Sequence, residues 1–249
     1  MSSDLEDAFS EQSEPYVDYG PAYPIELTEY LSSIVDSHER AWNAGAGSGK
    51  LARQLAERFD EVIATGVTEA LVKPAPSHPR VRYEGVQAGR VAVEDGSVDL
   101  IAAAQAAHWF DLPTFYSEVR RVCRSGAAIA LISYKLPRID PKIDPFVFGY
   151  ANQIVGSYWS PRRAHVDAGY LTLPFPFEEL TAPLFSMTEE WTVEEFISHL
   201  GSWPATLNYE RTHGSDPRIG IRDELARQWG HGRRSVEWPI RMRLGRVDG

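Results

Sequence analysis

The sequence has 249 residues, 43% of them hydrophobic, which is long enough for one large domain with a sizeable core. Acidic residues outnumber basic residues by 35 to 25, and no stretch is strongly basic, so nucleic acid and an anionic membrane surface are not expected partners. A single cysteine, Cys123, excludes an internal disulfide framework and a cysteine-rich zinc site. Because there is neither a long apolar run nor a signal-peptide pattern, we expect a soluble cytoplasmic protein.

The amino-terminal part divides into a polar arm and an aromatic stretch. Residues 1–14 are acidic and poor in large apolar side chains, which predicts a disordered arm. Tyr16, Tyr19 and Tyr23 follow within a few residues of two prolines. This stretch is either a lid over a pocket or a rigid approach to the next helix, which Pro24 would start and which would end near Ser37.

A glycine-rich turn then joins a buried run to a helix. Gly45, Gly47 and Gly49 lack a Cβ atom, so the backbone can bend sharply and a ligand can approach it closely. Backbone amides at the start of a helix suit a polar or anionic group. The alternative is a turn with a purely structural role.

Further along, short runs that predict strands alternate with helical patterns. The runs cover about residues 61–66, 81–84, 97–104 and 127–134, with helices expected from Thr68 to Lys73 and from Leu112 to Val122. Cys123 is interpreted as a core residue at the end of the second helix. This alternation predicts a doubly wound, mostly parallel sheet. Ligands of such sheets bind at the carboxyl ends of the strands, which places the glycine turn, Gly66 and Gln105 around one crevice.

The alternation stops at about residue 135. Residues 135–180 are rich in Pro, Tyr, Phe and Trp, and we interpret them as a cap on the substrate side. Helices are predicted over residues 191–200 and 221–229, and a closing strand over residues 236–244.

Several motifs together resemble those of one known family. They are Gly45-Ala-Gly-Ser-Gly49, Asp95-Gly-Ser-Val-Asp-Leu100, Gln105-Ala-Ala-His-Trp-Phe-Asp111, Phe115-Tyr-Ser-Glu-Val-Arg-Arg-Val122, Tyr170-Leu-Thr-Leu-Pro-Phe-Pro-Phe177 and Gly201-Ser-Trp203. From residue 16 to residue 247 the chain resembles class I S-adenosylmethionine-dependent methyltransferases, in the small-molecule branch related to the type 11 domain.

The resemblance implies a fold and a division of the chain. The fold is a Rossmann-like α/β domain with a doubly wound, mostly parallel seven-stranded sheet. The expected parts are a disordered arm (1–14), a cofactor-binding core (15–134), an aromatic-rich cap insertion (135–180), and the helices and closing strands of the same domain (181–249). The implied cofactor is S-adenosylmethionine, and the implied reaction is methyl transfer to a small, natural-product-like acceptor.

The chain departs from the family pattern at three acidic positions. The family usually has Asp where Asn43 stands, and Asp or Glu where Gly66 stands, the latter accepting both ribose hydroxyls of the cofactor. A third acid is replaced by Gly89 after Ala88. A hydrogen bond to a charged acceptor contributes roughly 1.5–3 kcal/mol. Losing the ribose acceptor would therefore weaken binding roughly tenfold to a hundredfold.

Candidate site residues follow from the resemblance and from the positions of polar and aromatic side chains. Cofactor binding is assigned to Asn43, Gly45, Gly47, Gly49, Gly66 and Gln105. Acceptor contacts are assigned to Tyr16, Tyr19, Tyr23, Trp109, Tyr158, Trp159, His165 and Tyr170. His108 is either a general base or a residue that fixes a local turn. Arg162 and Arg163 are either an anion grip or a solvated pair, and no metal site is expected.

Three functions remain open from the sequence. One is a methyltransferase with an unusual cofactor site, and another is a repurposed fold that promotes a cyclisation, rearrangement or elimination. The third is a non-catalytic binding subunit that assembles with an active relative. The expected partner is a small molecule, with a homodimer or a related subunit left open.

Overall fold

The computed structural model describes residues 20–66, 77–85 and 90–248. The expected arm, Tyr16, Tyr19, the helix from Thr68 to Lys73 and Gly89 lie outside these residues.

Five parallel strands form one half of a single sheet. Their order is β3-β2-β1-β4-β5, so β1 and β4 are neighbours where the winding of the chain reverses direction. The strands are β1 (Arg40–Ala44), β2 (Glu61–Thr65), β3 (Val81–Glu84), β4 (Val98–Ala104) and β5 (Cys123–Tyr134). Asn43 of β1 is in register with Ala102 of β4, which brings the carboxyl ends of these strands side by side.

The other half of the sheet is antiparallel. The long strand β8 (Arg234–Arg246) pairs with β5 on one edge and with β6 (Glu178–Leu180) and β7 (Phe185–Trp191) on the other. Residues 181–184, which include Pro183, separate β6 from β7. The sheet therefore has eight strands instead of the expected seven, and β6 takes the last residues of the expected insertion into the main sheet.

Helices cover both faces of the sheet, which confirms the predicted doubly wound architecture. Eight α-helices fall within the described residues: α1 (Ile25–Ser33), α2 (Lys50–Ala56), α3 (Leu112–Val122), α4 (Asp144–Gly149), α5 (Arg163–Asp167), α6 (Val193–Gly201), α7 (Pro204–His213) and α8 (Ile219–Trp229). On one face the core joins side chains of α1, α2, α4 and α6–α8, and on the other it joins α3 with Val166 and Tyr170. None of the described helices combines the length and the apolar character needed to cross a bilayer.

Three boundaries differ from the sequence-based expectation. Cys123 is buried as predicted, but it begins β5, because α3 passes directly into an extended strand whose first residue pairs with Val98. Trp191 ends β7, and the following helix begins at Val193 behind a Thr192–Glu195 capping box. The first helix ends at Ser33, short of Ser37.

Candidate functional site

The glycine turn lies between β1 and α2, and each of its three glycines has positive φ. The values are +69° at Gly45, +52° at Gly47 and +75° at Gly49, a region that side chains strongly disfavour. A Cβ atom at Gly45 would collide with Ala106, and one at Gly49 would collide with the Tyr83 hydroxyl. A Cβ atom at Gly47 would meet nothing within 4 Å. Two of the glycines therefore permit close packing, and the third leaves a backbone surface open to a ligand.

Asn43 presents a buried acceptor beside this turn. Its side-chain Nδ2 donates to the Ala102 carbonyl at 3.0 Å, while its Oδ1 has no hydrogen-bond partner among the described residues. The residue is only 1% exposed. An unsatisfied buried acceptor costs roughly 1–3 kcal/mol. A ligand that donates a hydrogen bond here would recover that cost.

The chain leaves β4 through a strained residue. Gln105 has φ +53°, and it shares positive φ with Tyr170 alone among the described non-glycine residues. Its backbone N donates to the Ile132 carbonyl and its Nε2 donates to the Tyr134 carbonyl, both at 2.9 Å. Both bonds anchor Gln105 to β5. Strain of this kind persists only where the surrounding structure enforces it, and it is common at functional sites.

His108 lies in a 3-10 turn (Ala107–Trp109) just beyond Gln105. Its Nδ1 is 2.9 Å from the Tyr170 hydroxyl, and the two rings stack with centroids 5.8 Å apart. Burial lowers the pKa of His108 to about 3, with further lowering from the nearby charges of His165 and Arg162. His108 is therefore neutral at physiological pH. Such a low pKa makes it a weak proton acceptor, and the geometry favours the turn-fixing role.

Tyr170 is fully buried, which changes the role predicted for it. No part of the residue is exposed, and burial raises the pKa of its hydroxyl. Its hydroxyl and ring contact His108 and support it. In this conformation Tyr170 cannot line an acceptor site directly.

The neighbouring residues Arg162 and Arg163 have different surroundings. Arg162 is exposed, its Nη1 donates to the His108 carbonyl at 3.0 Å, and its guanidinium carbon lies 5.6 Å from the centre of the Trp109 ring. The guanidinium carbon of Arg163 instead lies 3.7 Å from the centre of the Trp159 ring, and its Nε lies 3.4 Å from Oδ2 of Asp167. The two arginines therefore do not form a single anion grip, and Arg162 alone contacts the turn that follows β4.

The segment before α1 lies over the start of α2. Gln54 Nε2 donates to the Tyr23 carbonyl at 2.7 Å, and Lys50 Nζ donates to the Gly20 carbonyl. The Tyr23 ring packs edge-on against Tyr134, with centroids 6.5 Å apart. This segment therefore connects the helix after the glycine turn with the end of β5. Its role as a lid stays a prediction.

The remaining predicted acceptor residues belong to a separate cluster or are linked elsewhere. Tyr158 hydrogen-bonds through its hydroxyl to His213 of α7, and the Trp159 Nε1 donates to the Ala151 carbonyl at 2.8 Å. His165 bonds to Thr172 through its Nδ1 at 2.7 Å. The structure thus brings His108, Trp109 and Tyr170 together but does not join Tyr158 and Trp159 to them through any described contact.

Two contact residues of the glycine turn were missed by sequence reasoning. Tyr83 of β3 faces Gly49, and the Phe110 ring would lie 3.3 Å from a Cβ atom at Gly45. Phe110 lies within a quoted motif, but only the fold shows that it faces the turn. Tyr83 lies in a predicted strand, whose sequence gives no signal of that contact.

Comparisons with known proteins agree on one family. A family model described as a methyltransferase domain matches residues 42–131. A Dictyostelium discoideum protein named as a methyltransferase is 31% identical, with 90% of this chain and 87% of that protein covered. The structure of a type II methyltransferase from Anaeromyxobacter dehalogenans is 40% identical with a TM-score of 0.86, covering 92% and 98% of the two chains. The chain belongs to the class I S-adenosylmethionine-dependent methyltransferase family. The Saccharomyces cerevisiae protein CRG1, named as an S-adenosylmethionine-dependent methyltransferase, is 20% identical over 84% of each chain.

The residues at the β1–β4 side suit the family's cofactor. The unpaired Oδ1 of Asn43 provides an acceptor, and the open backbone at Gly47 allows close approach. The oxygen carries no full charge, so its attraction for a cationic group is weaker than that of the family's usual Asp.

The β2–β3 side offers the cofactor fewer groups among the described residues. Gly66 has no side chain, and its backbone N donates to the Glu84 carbonyl at 3.0 Å. Glu84 itself forms an ion pair with Arg82. Residues 67–76 and 86–89, which flank this side, lie outside the described residues, and the ribose acceptor is not assigned.

Proposed function

We propose that the protein transfers the methyl group of S-adenosylmethionine to a small-molecule acceptor bound beside the carboxyl end of β4. The observation that carries this proposal is that the end of β1 and the turn after it combine an open backbone at Gly47 with the unpaired Oδ1 of Asn43, four residues earlier in the chain. Membership of the family supports methyl transfer in general. The acidic net charge supports a small acceptor over a nucleic acid.

The protein's own groups would act mainly by binding and orientation. S-adenosylmethionine would supply an electrophilic methyl group on its sulfonium; the acceptor nucleophile would bond to that methyl carbon while the S–CH3 bond breaks and S-adenosylhomocysteine leaves. Asn43 Oδ1 would accept a hydrogen bond from the amino-acid end of the cofactor, and the glycine turn would let the backbone lie against it. The anchored conformation of Gln105 fixes the position of the turn that carries His108 and Trp109. Holding reactants in line in this way can supply much of the rate enhancement.

Deprotonation of the acceptor is the step that the described residues support least. His108 is neutral with a pKa of about 3, and its Nδ1 already bonds to Tyr170. We therefore assign His108 a positioning role, in which it holds Trp109 and Arg162 in place. This favours acceptors whose nucleophile ionises readily in water.

The first experiment is calorimetry on protein stripped of cofactor. We expect S-adenosylmethionine and S-adenosylhomocysteine to bind at micromolar concentrations. The absence of heat and of any thermal shift at millimolar ligand would contradict the proposal.

A second assay separates the remaining alternatives. Incubation of the protein with S-adenosylmethionine and a panel of small molecules should release S-adenosylhomocysteine with a subset of them. Conversion of a substrate after exhaustive removal of cofactor would instead indicate a repurposed enzyme. Copurification with a related protein, and activity only in that complex, would indicate a binding subunit.

A further inference from the structure

Arg162 is an exposed cation that contacts the turn after β4. Among the residues that the structure describes, no carboxylate forms an ion pair with it. Its described side-chain contacts are the hydrogen bond to the His108 carbonyl at 3.0 Å and the stacking over Trp109. One Nη donor serves that bond, and the guanidinium group has five N–H donors in total. Several donors are thus available to a bound anion.

The position of Arg162 links it to the glycine turn through two contacts. Gly45 packs against Ala106, which precedes the 3-10 turn, and Arg162 holds the carbonyl of His108 within that turn. Because β1 and β4 are neighbouring parallel strands, the glycine turn and this 3-10 turn leave the same edge of the sheet. Arg162 is thereby held at the same edge of the sheet as the glycine turn.

The charge of Arg162 is opposite in sign to the net charge of the whole chain. The sequence carries 35 acidic and 25 basic residues. A basic site within an acidic protein attracts a small anion and repels a polyanion at longer range.

We infer that Arg162 selects an acceptor that carries a carboxylate or phosphate group, held by the guanidinium while the apolar part of the acceptor lies against Trp109. This inference rests on the proposed function, because it assigns the acceptor to the same site. Arginine is well suited to this role, since its planar fork matches the geometry of both groups and stacks on aromatic rings.

The chain offers a matched control in Arg120. It is also exposed, its Nη2 donates to the Pro176 carbonyl at 3.0 Å, and its guanidinium carbon lies 5.1 Å from the centre of the Phe177 ring. Arg120 therefore has the same kinds of contact as Arg162. It is on α3 and makes no described contact with the glycine turn or the 3-10 turn.

The experiment measures binding of three small aromatic probes to protein saturated with S-adenosylhomocysteine. Phenylacetate and phenyl phosphate carry the two anionic groups, and phenylacetamide is the neutral counterpart. We expect at least one anion to bind at millimolar concentrations, more tightly than the amide. Arg162→Gln should weaken that anion roughly tenfold to a hundredfold, since a charged hydrogen bond is lost. Arg120→Gln should leave it unchanged, and the stronger anion distinguishes a carboxylate site from a phosphate site.

Arg162→Lys is the control that separates loss of binding from a change in fold. It keeps the charge but loses the fork, so we expect intermediate affinity with an unchanged melting temperature. The inference is overturned if neither anion binds, if the amide binds as tightly as both anions, or if Arg162→Gln has no more effect than Arg120→Gln. Failure to bind S-adenosylhomocysteine would instead count against the proposed function, and the same three probes are then titrated into the cofactor-free protein.

Discussion

The two halves of the carboxyl edge of the sheet are built in different ways. At the β1–β4 half, Asn43, the glycine turn and Gln105 are fixed by backbone geometry and buried hydrogen bonds. At the β2–β3 half, Gly66 presents only backbone, and the Glu84 carboxylate is taken up by Arg82. From the described residues, we expect cofactor affinity to depend mainly on shape and hydrogen bonding at the first half.

The largest expected effect comes from closing the open surface at Gly47. Gly47→Ala places a methyl group where a ligand would approach, and we expect affinity for S-adenosylhomocysteine to fall roughly tenfold to a hundredfold or more. The substitution also costs roughly 1–2 kcal/mol of folding free energy, because φ is positive. Calorimetry gives the affinity, and urea unfolding gives the stability.

Gly126→Ala separates strain from binding. Gly126 has φ +81° and, like Gly47, open space around a Cβ atom, but it lies near the amino end of β5, away from the carboxyl edge. We expect a similar loss of stability with unchanged affinity. Equal loss of affinity in both variants would show that Gly47 acts only through stability.

A smaller effect is expected from the support behind His108. Tyr170→Phe removes the hydroxyl 2.9 Å from His108 Nδ1 and should destabilise the protein by roughly 1 kcal/mol, because a partly buried hydrogen bond is lost. Turnover of an acceptor should also fall, since the turn that holds Trp109 and Arg162 is less well fixed. Urea unfolding and initial rates measure the two effects.

Tyr150→Phe is the control for this variant. Tyr150 is equally buried, and its hydroxyl lies 2.7 Å from Thr206 Oγ1 on the other face of the sheet. It should lose a comparable amount of stability and keep full turnover. A Tyr170→Phe enzyme with unchanged kcat and KM would exclude the positioning role of the Tyr170–His108 pair.

The pKa of His108 predicts a dependence of stability on pH. The pKa is about 3 in the folded state, against an ordinary histidine value of 6.5, so the unfolded chain binds more protons between these values. The free energy of unfolding should therefore decrease as pH falls below about 6.5, with a slope of up to about 1.4 kcal/mol per pH unit from this group. It should be unaffected by this group at higher pH.

Urea titrations at several pH values test this linkage by comparison with His108→Asn. We expect the variant to lose stability less steeply on acidification than the wild-type protein. Identical slopes of unfolding free energy against pH would mean that His108 keeps an ordinary pKa. His108 would then again be a candidate general base. In that case a rate profile with an inflection near neutrality, absent from the variant, would identify it.

The sequence predicted the parallel half of the fold because its signals are local. Buried apolar runs became β2, β4 and β5, a short run became the half-buried β3, and the glycine turn marks the start of α2. The boundary at Cys123 could not be predicted, because α3 continues into β5 without an intervening turn. The split between β6 and β7 was also missed, since pairing with one long partner strand is decided by tertiary contacts.

For the site, the sequence predicted which segments lie together better than it predicted what each side chain contacts. The positions around Asn43, Gly47 and His108 follow from the ends of neighbouring parallel strands. Tyr170 and Trp159 were expected to face an acceptor because aromatic side chains suit both cores and pockets. The structure buries Tyr170 against His108 and packs Trp159 against Trp203, which only the three-dimensional path of residues 135–180 determines.

The smallest expected effect comes from rebuilding the second half of the edge. Gly66→Asp supplies the acidic side chain that the family usually has after its second strand, and cofactor affinity should stay the same or rise by up to about tenfold. We expect the gain to be additive with the loss caused by Gly47→Ala, because the two substitutions lie on different halves of the edge and share no described contact. Calorimetry on both single variants and on the double variant measures this. A clear loss of affinity in Gly66→Asp would mean that the chain holds the cofactor differently at β2, with backbone in the place of the carboxylate.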